Sequence, residues 1–167
     1  MDQTIVDYLQ GLHAGHNKSS FGELVWECYL FLEPDNAGKI EGQALFLSPD
    51  VDPDSAVPFE VRGEWVEDFK DVIVNKPFTG LLLRFYECKE LGNDSAIAKA
   101  LAKMNFYPKL VQEQDPFRFI RSYLKINLVD EKITGNSFLF FSREDLEDYQ
   151  EELEADLELM EFKKLTR

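Results

Sequence analysis

The chain has 167 residues, 44% of them hydrophobic, and its 32 acidic and 18 basic side chains give a net charge of −14. This length suits a single domain spanning residues 1–167, which needs neither a disulfide nor a metal to build a core. The charge repels nucleic acid and anionic membranes, so it argues against binding either and favours a basic partner.

The first residues carry an early acid and no basic stretch, so we recognise no signal peptide. Apolar runs such as Leu81–Leu83 and Phe138–Phe141 are far too short to cross a bilayer. Two isolated cysteines, Cys28 and Cys88, form no CxxC pair, so we expect reduced and mostly buried thiols. The cytoplasm is the expected location.

The first half of the chain begins with apolar residues at helical spacing, which predict a short helix over Thr4–Leu12. The Gly- and His-containing segment His13–Asn17 predicts a loop. Ser19 and Ser20 then look like the N-cap of one further helical turn. Strand formers on either side of turn residues predict a β-hairpin over 27–47.

The middle of the chain mixes loop, strand and helix signals. Ser48–Pro58 holds three prolines and three aspartates and predicts a loop, and Phe59–Arg62 predicts a short third strand. The apolar spacing in Glu64–Val74 predicts a helix that Pro77 ends. Leu81–Cys88 fits either a helix or a strand.

The last third contains the longest predicted element. Asp94–Asn105 and Pro116–Leu124 are predicted helices, and Ser137–Phe141 is a predicted strand. Arg143–Leu165 predicts a long amphipathic helix with an apolar stripe of Leu146, Tyr149, Leu153, Leu157 and Met160. The predicted fold class is therefore α+β: a small, mostly antiparallel sheet packed with several helices and ending in a long acidic helix.

Two short motifs resemble metal sites but lack parts of them. His13 and His16 form an HxxH pair without the glutamate of a zincin, and the sequence has no third histidine. Asp50, Asp52 and Asp54 resemble the opening of a calcium-binding loop, yet the glycine and glutamate required at its sixth and twelfth positions are missing. We therefore expect a polar loop and an acidic loop, and we predict no metal or other cofactor.

No nucleophile stands beside a base in a known motif, and the sequence holds no phosphate-binding or dinucleotide-binding glycine pattern. Carboxylates are abundant, but no pair of them is marked by spacing. We predict no catalytic residues and a protein that is not an enzyme.

The middle third differs in charge from both ends. Residues 81–142 carry nine bases and seven acids, with aromatic residues interleaved. Such a composition could bind nucleic acid, but the acidic flanks argue against it. We expect a mixed-charge surface over an aromatic core.

The densest charge lies in residues 144–161, which hold ten acids and no base. Two interpretations stay open: a solvated helix face, or a surface that attracts a basic partner. The second interpretation predicts partner-binding residues in this segment and in the acidic loop, namely Asp50, Asp52, Asp54, Glu147, Glu151, Glu154 and Glu158.

The stretch Val25–Asn75 resembles small acidic bacterial domains of unknown function that are similar to immunity proteins. The resemblance lies in an aromatic-flanked strand that ends in Pro34, a second strand, an acidic loop, and then a helix that ends in Asp71-Val72-Ile73-Val74-Asn75. It implies a role in neutralising a toxin and assigns no residue roles.

Charge and resemblance lead to one main functional hypothesis: a non-enzymatic, immunity- or antitoxin-like protein that masks a basic protein partner such as a toxin or nuclease. The alternatives are a nucleic-acid-mimicking inhibitor of the phage or anti-restriction type, an adaptor domain whose charge serves solubility, and a carboxylate-dependent enzyme.

Overall fold

The computed structural model describes residues 1–19, 21–47, 55–71, 74–88, 91, 94–110, 118–140 and 156–165. These residues form two short helices, α1 (Gln3–Leu9) and α2 (Ala96–Ala102), and nine strands. The strands are β1 (Gly11–Ser19), β2 (Leu24–Pro34), β3 (Lys39–Leu47), β4 (Ser55–Asp71), β5 (Val74–Glu87), β6 (Lys109–Leu110), β7 (Phe119–Asn127), β8 (Lys132–Phe140) and β9 (Asp156–Lys164).

Eight of the strands form a closed antiparallel barrel. β1 to β5 pair in chain order, β5 pairs with β7, and β7, β8 and β9 follow in order. The ring closes because β1 pairs with β9 along His13–Ser19 as well as with β2 along Gly11–Lys18. The short strand β6 lies outside this ring and pairs in parallel with Ser55 and Ala56 of β4.

The barrel interior is packed with side chains that alternate along each strand. Its buried core includes Leu30 and Leu32 of β2, Phe46 of β3, Leu83 of β5 and Phe162 of β9. Period-two alternation is what a strand with one buried face requires. An eight-stranded barrel is just narrow enough for side chains to fill, and the aromatic rings here meet inside it.

Helix α1 packs on one end of the barrel core. Asp2 caps it by accepting a hydrogen bond from the Thr4 amide at 2.7 Å. Leu9 is fully buried in the barrel core, and Ile5 and Tyr8 pack against it. His13 Nε2–H donates to the Leu9 carbonyl at 2.9 Å, which ties the helix to β1.

Helix α2 packs on the outer face of the barrel. Ile97 and Leu101 are buried against Leu45 and Leu47 of β3. The helix begins at the Ser95 cap, and its first turn is held by Gln43, whose Oε1 accepts from the Ile97 amide at 3.0 Å.

The predicted α+β class is wrong, because the described residues form a β-barrel with only two helices of seven residues each. The helix within Asp94–Asn105 and the hairpin over 27–47 are confirmed. The first helix is confirmed only as far as Leu9, because Gly11 and Leu12 of the predicted Thr4–Leu12 begin β1. The predicted strands Phe59–Arg62 and Ser137–Phe141 also lie in strands, although Phe141 is outside the described residues. The ambiguous Leu81–Cys88 belongs mainly to β5.

The predicted loop at His13–Asn17 is wrong, since these residues form the centre of β1. Their weak strand propensity is overcome by hydrogen bonding on both edges. Gly15 permits this, because a side chain there would overlap the carbonyl oxygen of Glu161 on β9. Ser19 caps no helix; its Oγ accepts from the Glu23 amide at 3.2 Å in the turn after β1.

The predicted helix at Glu64–Val74 is wrong because β4 runs to Asp71 and β5 begins at Val74. Two register shifts interrupt the pairing, one between Val66 and Phe69. Asp68 has a φ of 47° at the first of them. Such bulges break period-two alternation, so the apolar spacing resembles that of a helix. Pro77 lies within β5, and residues 55–58 of the predicted loop Ser48–Pro58 begin β4.

The predicted helices Pro116–Leu124 and Arg143–Leu165 are wrong wherever the structure describes them. Residues 119–124 belong to β7, which buries side chains on both faces and so loses simple alternation. Residues 156–164 form β9, in which Met160 and Phe162 point inward. The apolar residues of the predicted stripe happen to be three or four residues apart in the sequence, which imitates the spacing of a helix. The rest of the predicted C-terminal helix lies outside the described residues.

The burial of His13 predicts a pH-dependent stability. Burial lowers the pKa of His13 from 6.5 to about 4. Between about pH 6.5 and about pH 4 the unfolded chain therefore binds a proton that the folded barrel excludes, so stability falls as the pH falls. The total is about 3 kcal/mol for this group.

Denaturant unfolding of the wild type and of His13→Gln measures this effect, because the other titrating groups are common to both. The stability advantage of the wild type should shrink steadily from about pH 7 to about pH 4. A difference that does not change with pH would contradict the assignment.

The close approach of β1 and β9 predicts that Gly15→Ala destabilises the barrel. The added methyl group meets backbone that cannot move without disturbing the pairing, so the free energy of unfolding should fall by about 3 kcal/mol. Gly22→Ala is the control: Gly22 has a φ of 83° but no heavy atom within 4 Å of an added Cβ. It should cost only about 1 kcal/mol, and equal losses would show that the contact with β9 is unimportant.

Candidate functional site

The end of the barrel opposite α1 is joined by the connections β1–β2, β3–β4, β5–β7 and β8–β9. Asp50, Asp52 and Asp54 belong to the β3–β4 connection, and Glu147, Glu151 and Glu154 belong to the β8–β9 connection. These six predicted partner-binding residues lie outside the described residues. The strands that flank the two connections nevertheless end at the same end of the barrel, which we call the polar end.

Glu158 is the one predicted partner-binding residue that the structure describes. It was expected on the exposed face of a helix, but it lies in β9 and points into the barrel with 7% exposure. Its Oε2 accepts a hydrogen bond from Asn17 Nδ2 at 2.9 Å. Alternation along β9 places Glu158 on the same face as Met160 and Phe162, which explains its burial.

Glu158 belongs to a band of inward-facing polar side chains that follows the inner wall at the polar end. Cross-strand pairing places Ser137 opposite Glu158, Ser122 opposite Ser137, and Trp26 opposite Asn17. Glu87 at the end of β5 and Arg118 just before β7 complete the band. We call these seven residues the polar belt: Asn17, Trp26, Glu87, Arg118, Ser122, Ser137 and Glu158.

The ion pair between Arg118 and Glu87 is the most buried of the salt bridges in the described residues. Arg118 Nε donates to Glu87 Oε2 at 3.1 Å, and the Arg118 backbone amide donates to the same oxygen at 2.9 Å. The Glu87 side chain is only 3% exposed. The Arg118 guanidinium also lies 5.9 Å from the Trp26 ring centre, which adds a cation–π contact.

Two buried oxygens of the polar belt have hydrogen-bonding capacity left over. Within the described residues, Asn17 Oδ1 and Ser137 Oγ have no hydrogen-bond partner. Ser122 Oγ lies 3.5 Å from the Met160 sulfur, which is a weak acceptor. Buried polar groups without partners are uncommon in folded proteins, so these oxygens mark the belt as more than packing.

The HxxH motif does not form a metal site in this fold. His13 and His16 are three residues apart on β1, so their side chains lie on opposite faces of the strand. His13 points inward. His16 points outward, where its Nε2 lies 3.5 Å from Glu161 Oε2. Lys132 Nζ contacts the other oxygen of Glu161 at 3.1 Å, and this hydrogen bond lowers the pKa of Glu161. Across the described parts of the chain, no three His, Cys, Asp or Glu side chains are grouped to hold a metal.

Both cysteines are free thiols. Cys28 is buried on the inner face of β2, and Cys88 is half-buried just after β5. Burial raises the pKa of Cys88 to about 11 and raises that of Cys28 well above its usual value. Thiols with raised pKa values are poor nucleophiles at neutral pH.

Six of the seven polar-belt residues were not predicted from the sequence. Apart from Arg118, which precedes β7, each lies at an inward position of a strand, for example Ser122 between Ile120 and Leu124. A polar residue at an inward position can be recognised only when the strand and its inward face are known. The sequence predicted β1 as a loop and β7 and β9 as helices, so these positions could not be recognised.

Comparisons with known proteins bear on the fold alone. Neither a protein-family model nor a curated protein sequence matches the chain. Among solved structures, the chain is similar to a designed protein, described as a de novo design of a fluorescence-activating beta barrel. The TM-score is 0.52 at 12% identity, over 99% of this chain and 100% of that one. The fold thus places the chain among β-barrel proteins.

Neither described helix has the length and apolar character needed to cross a membrane.

The buried ion pair predicts a large stability difference between two matched arginine substitutions. Arg118→Met leaves the Glu87 carboxylate buried without its guanidinium, so the free energy of unfolding should fall by roughly 3 kcal/mol. Arg62→Met is the control, because the Arg62 side chain is 71% exposed and lies 3.8 Å from Glu60. It should change stability by about 1 kcal/mol or less. Urea unfolding of both variants measures this, and similar losses would contradict the assigned role of Arg118.

Proposed function

We propose that this chain is a non-enzymatic binding protein that masks a basic protein partner at the polar end of the barrel. The observation that carries the proposal is the topology. The strands that flank the two acidic connections, β3 and β4 and β8 and β9, have the ends joined by these connections at the end of the barrel that carries Glu158 and Glu87.

The density of acids in the two connecting segments supports a basic partner. Residues 48–54 hold three acids and no base, and residues 141–155 hold seven acids and one base. A concentrated negative field raises the association rate of a positively charged surface and disfavours anionic competitors. Nuclease toxins present basic surfaces to phosphate, so the resemblance to immunity proteins points to the same class of partner.

The packing of the interior supports a protein partner over a small molecule held within the barrel. The rings of Phe46, Phe59 and Phe85 occupy the interior beside the polar belt, with Phe46 4.8 Å from Phe59 and 5.7 Å from Phe85. Trp26 packs against Phe46 at 6.3 Å. These contacts favour recognition at the rim and in the connections. As part of the same proposal, we place the protein in the cytoplasm, where free thiols persist.

The test uses an oligolysine peptide as the probe and stopped-flow fluorescence as the measurement. One variant neutralises the polar end through Asp50→Asn, Asp52→Asn and Asp54→Asn. Its matched control removes the same charge through Glu33→Gln, Glu41→Gln and Glu131→Gln, which are exposed and distant from that end. We expect the first variant to lower the association rate about tenfold at low salt and the control to lower it less than about twofold.

Added salt should remove most of the difference between the two variants, because exposed charges are screened. Equal effects of the two triple variants would show that only the overall charge matters, and the polar end would then be no binding site. A wild-type association rate that is independent of salt would equally overturn the proposal.

A further inference from the structure

The outer wall of the barrel carries an aromatic cluster where an exposed sheet face normally carries polar residues. Phe78, Leu82 and Tyr123 are buried on this wall, and Phe138 packs partly buried beside them. The rings meet edge to face: Phe78 and Tyr123 at 5.6 Å and 86°, Tyr123 and Phe138 at 6.1 Å and 82°. Such pairs form a rigid apolar floor.

A cleft of about 310 Å³ opens above these rings on the outer faces of β7 and β8. Its apolar lining is Phe78, Tyr123 and Phe138, and its polar lining includes Lys125, Thr134 and Asn136. Strand register sets this arrangement, because Tyr123 faces Asn136 and Lys125 faces Thr134. Ring-binding sites have this composition: an aromatic floor with a few placed polar groups, and a volume that starts near roughly 300 Å³.

The bases nearest the cleft lie on β7. Its outward-facing residues Arg121, Tyr123 and Lys125 follow one another along the strand, so that a base stands on each side of Tyr123. The other charges of this wall are paired. Arg84, opposite Arg121, contacts Glu64 at 3.1 Å, and Arg62 lies 3.8 Å from Glu60. Glu161 of β9 faces Thr134 and contacts Lys132 at 3.1 Å. In a chain of net charge −14, this wall favours an anionic ligand.

We propose that the outer-wall cleft is a second binding site, distinct from the polar end, for a small ligand with a planar ring and an anionic group. The ring lies on the aromatic floor, the anionic group contacts Lys125, and the Asn136 amide and the Thr134 hydroxyl offer hydrogen bonds to ring substituents. A carboxylate or a phosphate supplies the same anionic chemistry.

The test compares probes that share a ring but differ in charge. Indole-3-acetate is the anion and tryptamine is the matched cation; adenosine monophosphate is the phosphate arm. Titration is followed through backbone amide shifts in NMR spectra of the full chain. We expect indole-3-acetate to shift the amides of Lys125, Thr134 and Asn136 with a Kd on the order of 1 mM, and to bind more tightly than tryptamine despite the net negative charge.

Two lysine variants decide whether the local charge is responsible. Lys125→Met should weaken indole-3-acetate binding about fivefold, as expected for the loss of one charge-assisted contact at an exposed site. Lys163→Met removes an exposed outward-facing lysine of β9 that does not line the cleft, and should change binding less than about twofold. Both positions are exposed, so neither variant threatens folding.

The relative affinities for indole-3-acetate and adenosine monophosphate identify carboxylate or phosphate as the preferred anion, and binding of either at the cleft supports the site. Tighter binding of tryptamine would show that the global charge governs binding and would overturn the proposal. Shifts confined to other amides, or equal effects of the two lysine variants, would also overturn it.

Discussion

The pairing of β1 on both of its edges is the constraint on which the rest of the structure depends. Its residues are poor strand formers, yet β2 and β9 hydrogen-bond to it from either side and so close the ring. Closure satisfies the backbone groups along the eight strands and removes the edges to which another chain could add a strand. The two proposed sites accordingly lie on a wall and at one end of the barrel.

Closure also fixes which side chains face inward, and the interior changes character along the barrel axis. At the α1 end, Leu9 and Phe162 belong to a dry core that His13 links to the helix. At the other end, the inner wall carries the polar belt, including the buried pair of Arg118 and Glu87. A buried ion pair contributes little net stability compared with apolar packing. This is one reason why the proposed function places binding at the polar end.

The connections with the densest acids join strands at the polar end, whereas Arg84, Arg121 and Lys125 lie on the outer wall. The two proposals therefore place a basic partner and an anionic ligand at different parts of the barrel, where they would not compete. The aromatic cluster on that wall gives the second site an apolar floor, which charge alone does not provide.

The sequence by itself determined the net charge, the first hairpin, the two short helices and the placement of acids in two segments. Those features are local: composition, caps and turn residues act within a few positions. Only the tertiary structure decided that His13–Asn17 is a strand and that Glu158 points inward. It also decided that the apolar residues after Glu64 lie in a strand with bulges and not in a helix. Each of these depends on strand pairing, which overrides local propensity. For His13–Asn17 and Glu158 the partner strand is distant in sequence, as with Gly15 beside Glu161. The polar belt and the outer-wall cleft share this origin, because their residues become neighbours only when the ring of strands has closed.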